Sequence, residues 1–109
     1  MKGSQILLAG EPMCLFRSMQ EGVPLAAVQQ FHTGVAGAEL NVAIGLTRLG
    51  HTATYLSKVG RDPFGRGIID AIARMGISTY CITFSDTHRT GLVFKEQNAA
   101  ADPEIFYIR

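Results

Sequence analysis

The stretch Gly34–Gly50, GVAGAELNVAIGLTRLG, constrains this chain more than any other. Between Ala38 and Leu49 its only polar residues are Glu39, Asn41, Thr47 and Arg48. A run apolar on nearly all sides predicts a helix, and a buried one. Arg48 in the last turn and Gly50 just past Leu49 supply the charge and the left-handed cap with which helices end. Asn41 then falls in the first turn, where a buried amide is costly unless something hydrogen-bonds it. Gly34 and Gly37, just upstream, allow another group to approach the free N–H groups at the helix start. A small ligand rich in hydroxyls would suit that place. Alternatively, the glycines make a turn and Asn41 bonds to a neighbouring loop; the stretch alone is compatible with both.

Strands and a second helix surround this one. Ser4–Ala9 reads as a strand whose continuous apolar run suits a parallel sheet covered on both faces. Gly10-Glu11-Pro12 stops it, which puts Glu11 at the strand's C-terminal end, the edge where open α/β sheets place ligands. An exposed turn carboxylate is the plainer reading of Glu11. Met13–Arg17 and Ala26–Thr33 read as two short strands about a turn at Glu21-Gly22-Val23-Pro24, off the main sheet. Thr54–Val59 reads as a strand that Gly60 ends. Asp62 as N-cap and Pro63 at the first helical position then open a second helix. Phe64, Ile68, Ile72 and Met75 recur along one of its faces, and Gly76 closes it. Gly65 and Gly67 in its first turns point to tight packing or a ligand's close approach. Thr79–Phe84, Thr90–Glu96 and Ile105–Arg109 read as strands, with a polar turn at Ser85–Arg89 and a loop at Gln97–Pro103. Two strand–helix–strand units in succession predict a right-handed parallel α/β sheet, with the two small strand pairs lying off it. Arg109 ends the sequence inside a strand pattern, and three strands with two helices leave edges exposed, so we expect a longer protein to continue from it.

Composition narrows the class. The 109 residues suffice for one small domain and are 47% apolar, so a core is expected. A net charge of +1 without a basic run argues against a nucleic-acid surface. Cys14 and Cys81 stand far apart in no CxxC, and His32, His51 and His88 have no ligand spacing, so neither a disulfide framework, nor a metal site, nor an oxidising compartment is indicated. The apolar run Ile6–Ala9 is too short for a signal segment or a membrane span.

AGEPM (Ala9–Met13), the Gly34–Gly50 stretch, VGRDPFG (Val59–Gly65), Gly76-Ile77, Thr90-Gly91 and FYIR (Phe106–Arg109) together resemble the ribokinase-like (PfkB) carbohydrate kinases. AGEPM, AGAELN and FYIR in combination are most similar to the 2-keto-3-deoxygluconate kinase branch. The resemblance covers essentially the whole chain. It implies a ribokinase-like α/β fold, of which residues 1–109 form the N-terminal portion: part of a mainly parallel sheet with flanking helices, and a small β-sheet lid. It further implies a cytoplasmic kinase using ATP and Mg2+ on a small sugar or sugar acid, without nucleic-acid or membrane partners, and a homodimer formed through the lid strands.

Carried over position by position, the resemblance implies that Gly37, Ala38 and Asn41 contact sugar hydroxyls. Glu11 stands where many relatives have a hydroxyl-binding Asp. Tyr107 and Arg109 would reach from the lid, Arg109 pairing a substrate carboxylate, a task suited to a guanidinium fork. Two positions depart from the pattern: Leu92-Val93 stands where a lid tyrosine is common, and Ala36-Gly37 replaces Gly-Gly. The family's catalytic Asp, in a downstream Gly-Ala-Gly-Asp segment, has no counterpart here, and no GxxxxGK[ST] loop occurs. No catalytic or metal-binding residue is therefore expected in the chain, which would hold the sugar and not the nucleotide. A fructokinase- or ribokinase-type neutral-sugar kinase, a non-catalytic sugar-binding module and a dinucleotide-binding module are the alternatives. The last lacks a GxGxxG after the first strand.

Overall fold

The computed structural model describes residues 3–109. The strands are β1 (Gln5–Ala9), β2 (Met13–Glu21), β3 (Phe31–Ala36), β4 (Thr52–Gly60), β5 (Ile82–Ser85), β6 (Leu92–Gln97) and β7 (Ile105–Ile108). The helices are α1 (Ala38–Arg48) and α2 (Pro63–Arg74). They form two sheets: a parallel one ordered β1-β4-β5 and a mixed one ordered β3-β2-β6-β7.

Both helices lie on one face of the parallel sheet. Strand order follows chain order, so two right-handed crossovers place α1 and α2 on the same side. Ala53, Tyr55 and Val59 of β4 alternate toward that side and form one core with Leu40 and Ala43 of α1 and Ile68 and Ile72 of α2. The opposite face lacks a covering layer among the described residues. Leu7 is 61% exposed there, so the expectation of a strand covered on both faces is corrected: Ile6 and Leu8 are turned toward the helices, Leu7 away from them.

The burial expected of α1 is corrected likewise. Only Leu40 and Ala43 are buried, while Val42 is 52% and Leu49 76% exposed. The helix rests on β1 and β4 by one narrow stripe, and Asn41 lies outside that stripe, exposed. Gly37 is the N-cap with φ 153°, a conformation that L side chains rarely adopt, so a glycine is required where β3 turns into α1.

The strand expected over Ala26–Thr33 is displaced. Leu25–Ala27 is a short 3-10 turn after Pro24, and β3 runs instead from Phe31 to the α1 cap. Its pairing with β2, from Met13↔Ala36 to Ser18↔Phe31, decides its limits. The two small strand pairs expected off the main sheet are joined into one: antiparallel β2–β3 and antiparallel β6–β7 meet through a parallel β2–β6 ladder. Phe16 stacks on Phe94 at 4.6 Å between centroids and meets Phe64 of α2 edge-on at 5.9 Å, so one face of the mixed sheet leans on α2. Aromatic pairs of this kind contribute about 0.5–1.5 kcal/mol beyond their burial.

Asp62 caps α2 as expected, its Oδ1 accepting from the Gly65 N–H at 2.8 Å. Gly65 is buried, and a Cβ there would collide with the Gly60 carbonyl; its close approach is to the chain itself. Gly67 faces open space.

Candidate functional site

The N-terminus of α1 and the free face of the mixed sheet enclose a hollow of about 460 Å3. Gly37, Ala38 and Asn41 line it from the helix, and Met13, Leu15, Val93 and Tyr107 line it from the sheet. Alternation explains the sheet's share. Neighbouring residues on a strand point to opposite faces, so Leu15 and Val93 turn to the hollow while Phe16 and Phe94 turn to α2. Tyr107 stands opposite Val93 in the β6–β7 ladder and joins the same face.

Glu11 and Arg109 pair beside the hollow. Glu11 is exposed in the turn after β1, and its Oε1 lies 3.8 Å from Arg109 Nε. The Arg109 guanidinium also sits 4.9 Å from the centroid of the Tyr107 ring. Four of the six residues singled out in the sequence thus share one hollow, and the other two pair beside it, one following β1 and the other following β7. Both members of that pair are more than half exposed, so it is worth only about 0–1 kcal/mol and yields readily to another partner.

Arg17 and Lys95 also line the hollow and escaped the sequence reading. The period-two pattern Met13-x-Leu15-x-Arg17 shows that these three share a face, but only strand register reveals which face that is.

Beneath the α1 N-terminus lies a second polar group. The Tyr55 ring is wholly buried and its hydroxyl has no hydrogen-bond partner among the described residues. It stands close to Gly10, as does the Glu39 carboxylate; a Cβ on Gly10 would fall 2.7 Å from that hydroxyl and 2.6 Å from Glu39 Oε2. Burial pushes the phenol's pKa above its ordinary value, and the Glu39 and Glu11 carboxylates add to the rise.

A roomier hollow of about 510 Å3 lies on the other face of the mixed sheet, among Phe31, Phe94 and Phe106. Its lining is mainly apolar, Glu104 apart, and includes none of the residues singled out in the sequence, so a hydroxylated ligand is better matched by the helix-side hollow. Among the described residues no three His, Cys, Asp or Glu side chains gather where a metal ion could sit, and no acid lines the helix-side hollow. These side chains do not provide the oxygen-rich donor set that Mg2+ requires.

Comparison with known proteins shows the family and the fold. The profile of the pfkB family carbohydrate kinases matches residues 4–109. The chain is 39% identical over 101 residues to a 2-dehydro-3-deoxygluconokinase of Bacillus subtilis, covering 92% of this chain and 31% of that protein. It is 33% identical over 104 residues to fructokinase-2 of Solanum lycopersicum, covering 95% and 32%. An uncharacterized sugar kinase from Pyrococcus horikoshii, crystallised in complex with ATP, superposes with a TM-score of 0.84 at 32% identity, covering 96% of this chain and 33% of that one. The chain spans about a third of the length of these relatives.

Proposed function

The chain belongs to the pfkB family of carbohydrate kinases, and we propose that it supplies the sugar-holding part of an ATP-dependent kinase for a sugar acid of the 2-keto-3-deoxygluconate type. One observation carries the reading: Gly37, Ala38, Asn41 and Tyr107, drawn from the start of a helix and the end of a distant strand, line a single hollow.

In this reading the sugar lies between α1 and the mixed sheet, which acts as the lid. The backbone at Gly37 and Ala38 presents N–H groups at the start of a helix, which favour oxygen-rich ligands. The Asn41 amide both donates and accepts, as a sugar hydroxyl requires. Tyr107 covers the sugar from the lid. Arg109 exchanges Glu11 for the substrate carboxylate, and Glu11 is released to accept from a hydroxyl. The lid excludes water and strengthens each of these bonds. ATP supplies the phosphoryl group. In this reading the nucleotide, its metal and the base are held elsewhere in the kinase and not by the residues that line the hollow. A homodimer through the lid strands and a cytoplasmic setting go with this reading.

Phosphorylation of a neutral sugar such as fructose is the second reading. The Glu11–Arg109 pair favours it, since the guanidinium has a partner without any substrate carboxylate.

The test is a graft. This chain replaces the matching segment of the Bacillus relative, and ATP-dependent phosphorylation of 2-keto-3-deoxygluconate and of fructose is measured. We expect turnover of the acid by the graft and none by the 109 residues alone. A folded graft that phosphorylates neither sugar refutes the proposal.

A further inference from the structure

The lid's sugar-facing side carries a charge pattern with no structural purpose of its own. Arg17 of β2 stands opposite His32 of β3 and opposite Lys95 of β6. The three basic side chains form a row across neighbouring strands, on one face and at one level. Arg17 and Lys95 line the helix-side hollow, together with Asn41 and Tyr107. No acid lines it, and neither cation is in an ion pair among the described residues. The nearest acid on β6, Glu96, belongs to the opposite face, where its carboxylate accepts from the N–H groups of Leu25 and Glu104.

Like charges directly opposite each other on a sheet destabilise it. Charged residues on an edge strand have a separate use, in blocking unwanted strand pairing. That use does not apply, because β2 and β6 are the two inner strands of the sheet. A local rule broken without a structural return marks a functional position. An oxyanion placed between Arg17 and Lys95 turns mutual repulsion into two charge-assisted contacts. Arg17 is exposed and Lys95 half-buried, with Leu15, Val93 and Ile105 beside them in the lining. Arg109, by contrast, is already balanced by Glu11.

We infer that Arg17 and Lys95, flanked by His32, form an oxyanion-recognition locus in the hollow that selects a sugar bearing a carboxylate or a phosphate over a neutral one. This rests on the sugar-site reading above and decides between its two substrate classes.

The test is a titration of the 15N-labelled chain with 2-keto-3-deoxygluconate, fructose 6-phosphate and fructose, following the Gly37 and Asn41 amides. All three sugars are expected to shift those amides. At least one anionic sugar is expected to bind about tenfold or more tighter than fructose, a preference that weakens as salt rises. Which anion binds more tightly identifies carboxylate or phosphate as the group received. Combining Arg17→Gln with Lys95→Gln should lower affinity for the preferred anionic sugar about tenfold more than affinity for fructose. The charge-preserving Arg17→Lys with Lys95→Arg should retain most of the preference and controls for folding. Arg109→Gln should reduce it only in part, since Arg17 and Lys95 remain.

Amides that shift with equal affinity for all three sugars overturn the locus and leave the sugar site standing. So does a preference that the double Gln variant leaves undiminished. Self-association that the Gln variant abolishes, with sugar affinities unchanged, assigns the row to a contact between two copies and overturns the proposal. Absence of any shift with all three sugars overturns the sugar site and the locus together.

Discussion

The Asp62 carboxylate accepts both hydrogen bonds that Thr90 can donate, from its N–H at 2.9 Å and from its hydroxyl at 2.8 Å. The Thr90 hydroxyl in turn accepts from the Gly60 N–H at 2.9 Å. Two short motifs far apart in the chain, around Asp62 and around Thr90-Gly91, therefore form one joint. It ties the end of β4, the start of α2 and the entry to β6, and so anchors the mixed sheet to the parallel one.

Asp62→Ala should destabilise the chain by about 2–3 kcal/mol, since it removes an N-cap and leaves the Thr90 donors without their acceptor. Urea unfolding at neutral pH measures this. A loss below about 0.5 kcal/mol, the range of an ordinary surface substitution, would show that the joint contributes little.

The same joint makes stability depend on pH. Burial opposes ionisation of Asp62, but the Thr90 N–H, the Gly65 N–H and the Thr90 hydroxyl outweigh it, with help from the Phe64 N–H, and the folded pKa lies below the ordinary value. A depressed carboxylate pKa contributes stability that is full above the unfolded value, near ~3.9, and is lost as pH falls through the folded value. Unfolding free energy should therefore decline in acid, and less steeply in Asp62→Asn. Parallel declines in the two proteins would remove Asp62 from the explanation.

Tyr55→Phe should raise stability. The hydroxyl is buried without a partner among the described residues, and an unsatisfied buried polar group costs about 1–3 kcal/mol. A gain of 1 kcal/mol corresponds to roughly 4–8 °C in Tm for a domain of this size. A lower Tm would instead show that the hydroxyl is satisfied in solution.

In the grafted kinase, Asn41→Ala should raise KM for the sugar about two- to tenfold, the net worth of one neutral hydrogen bond, with nucleotide affinity unchanged. Its exposure makes this effect smaller than a buried amide's would be. Loss of nucleotide affinity with sugar affinity intact would put Asn41 on the wrong side of the cleft.

Arg109→Ala in the same graft should lower kcat/KM for 2-keto-3-deoxygluconate more than for fructose, because it deletes one guanidinium and leaves Glu11 unpaired beside the substrate carboxylate. Arg109→Lys should recover only part, as an ammonium lacks the planar fork. Equal losses on both sugars would reject a carboxylate role for Arg109.

Local chemistry by itself determined a good share of this protein. Asp62, Pro63 and Gly76 bracket α2, and Gly37 starts α1, because caps, a restrained φ and a left-handed turn act within a few residues of where they are read. The motif pattern pointed to the family, and the strand and helix order pointed to a parallel sheet with two small strand pairs off it. The limits of β3 were not legible, since pairing with β2 sets them rather than the composition of Ala26–Thr33. Nor was the exposure of Asn41 and Leu7: an apolar run records that a segment can be buried, not how many layers reach it. Only tertiary structure placed Glu11 beside Arg109 and Arg17 opposite Lys95. Those neighbours depend on the parallel β2–β6 ladder and on how two sheets meet, and a shift of one residue in register would turn every side chain of the strand to the other face.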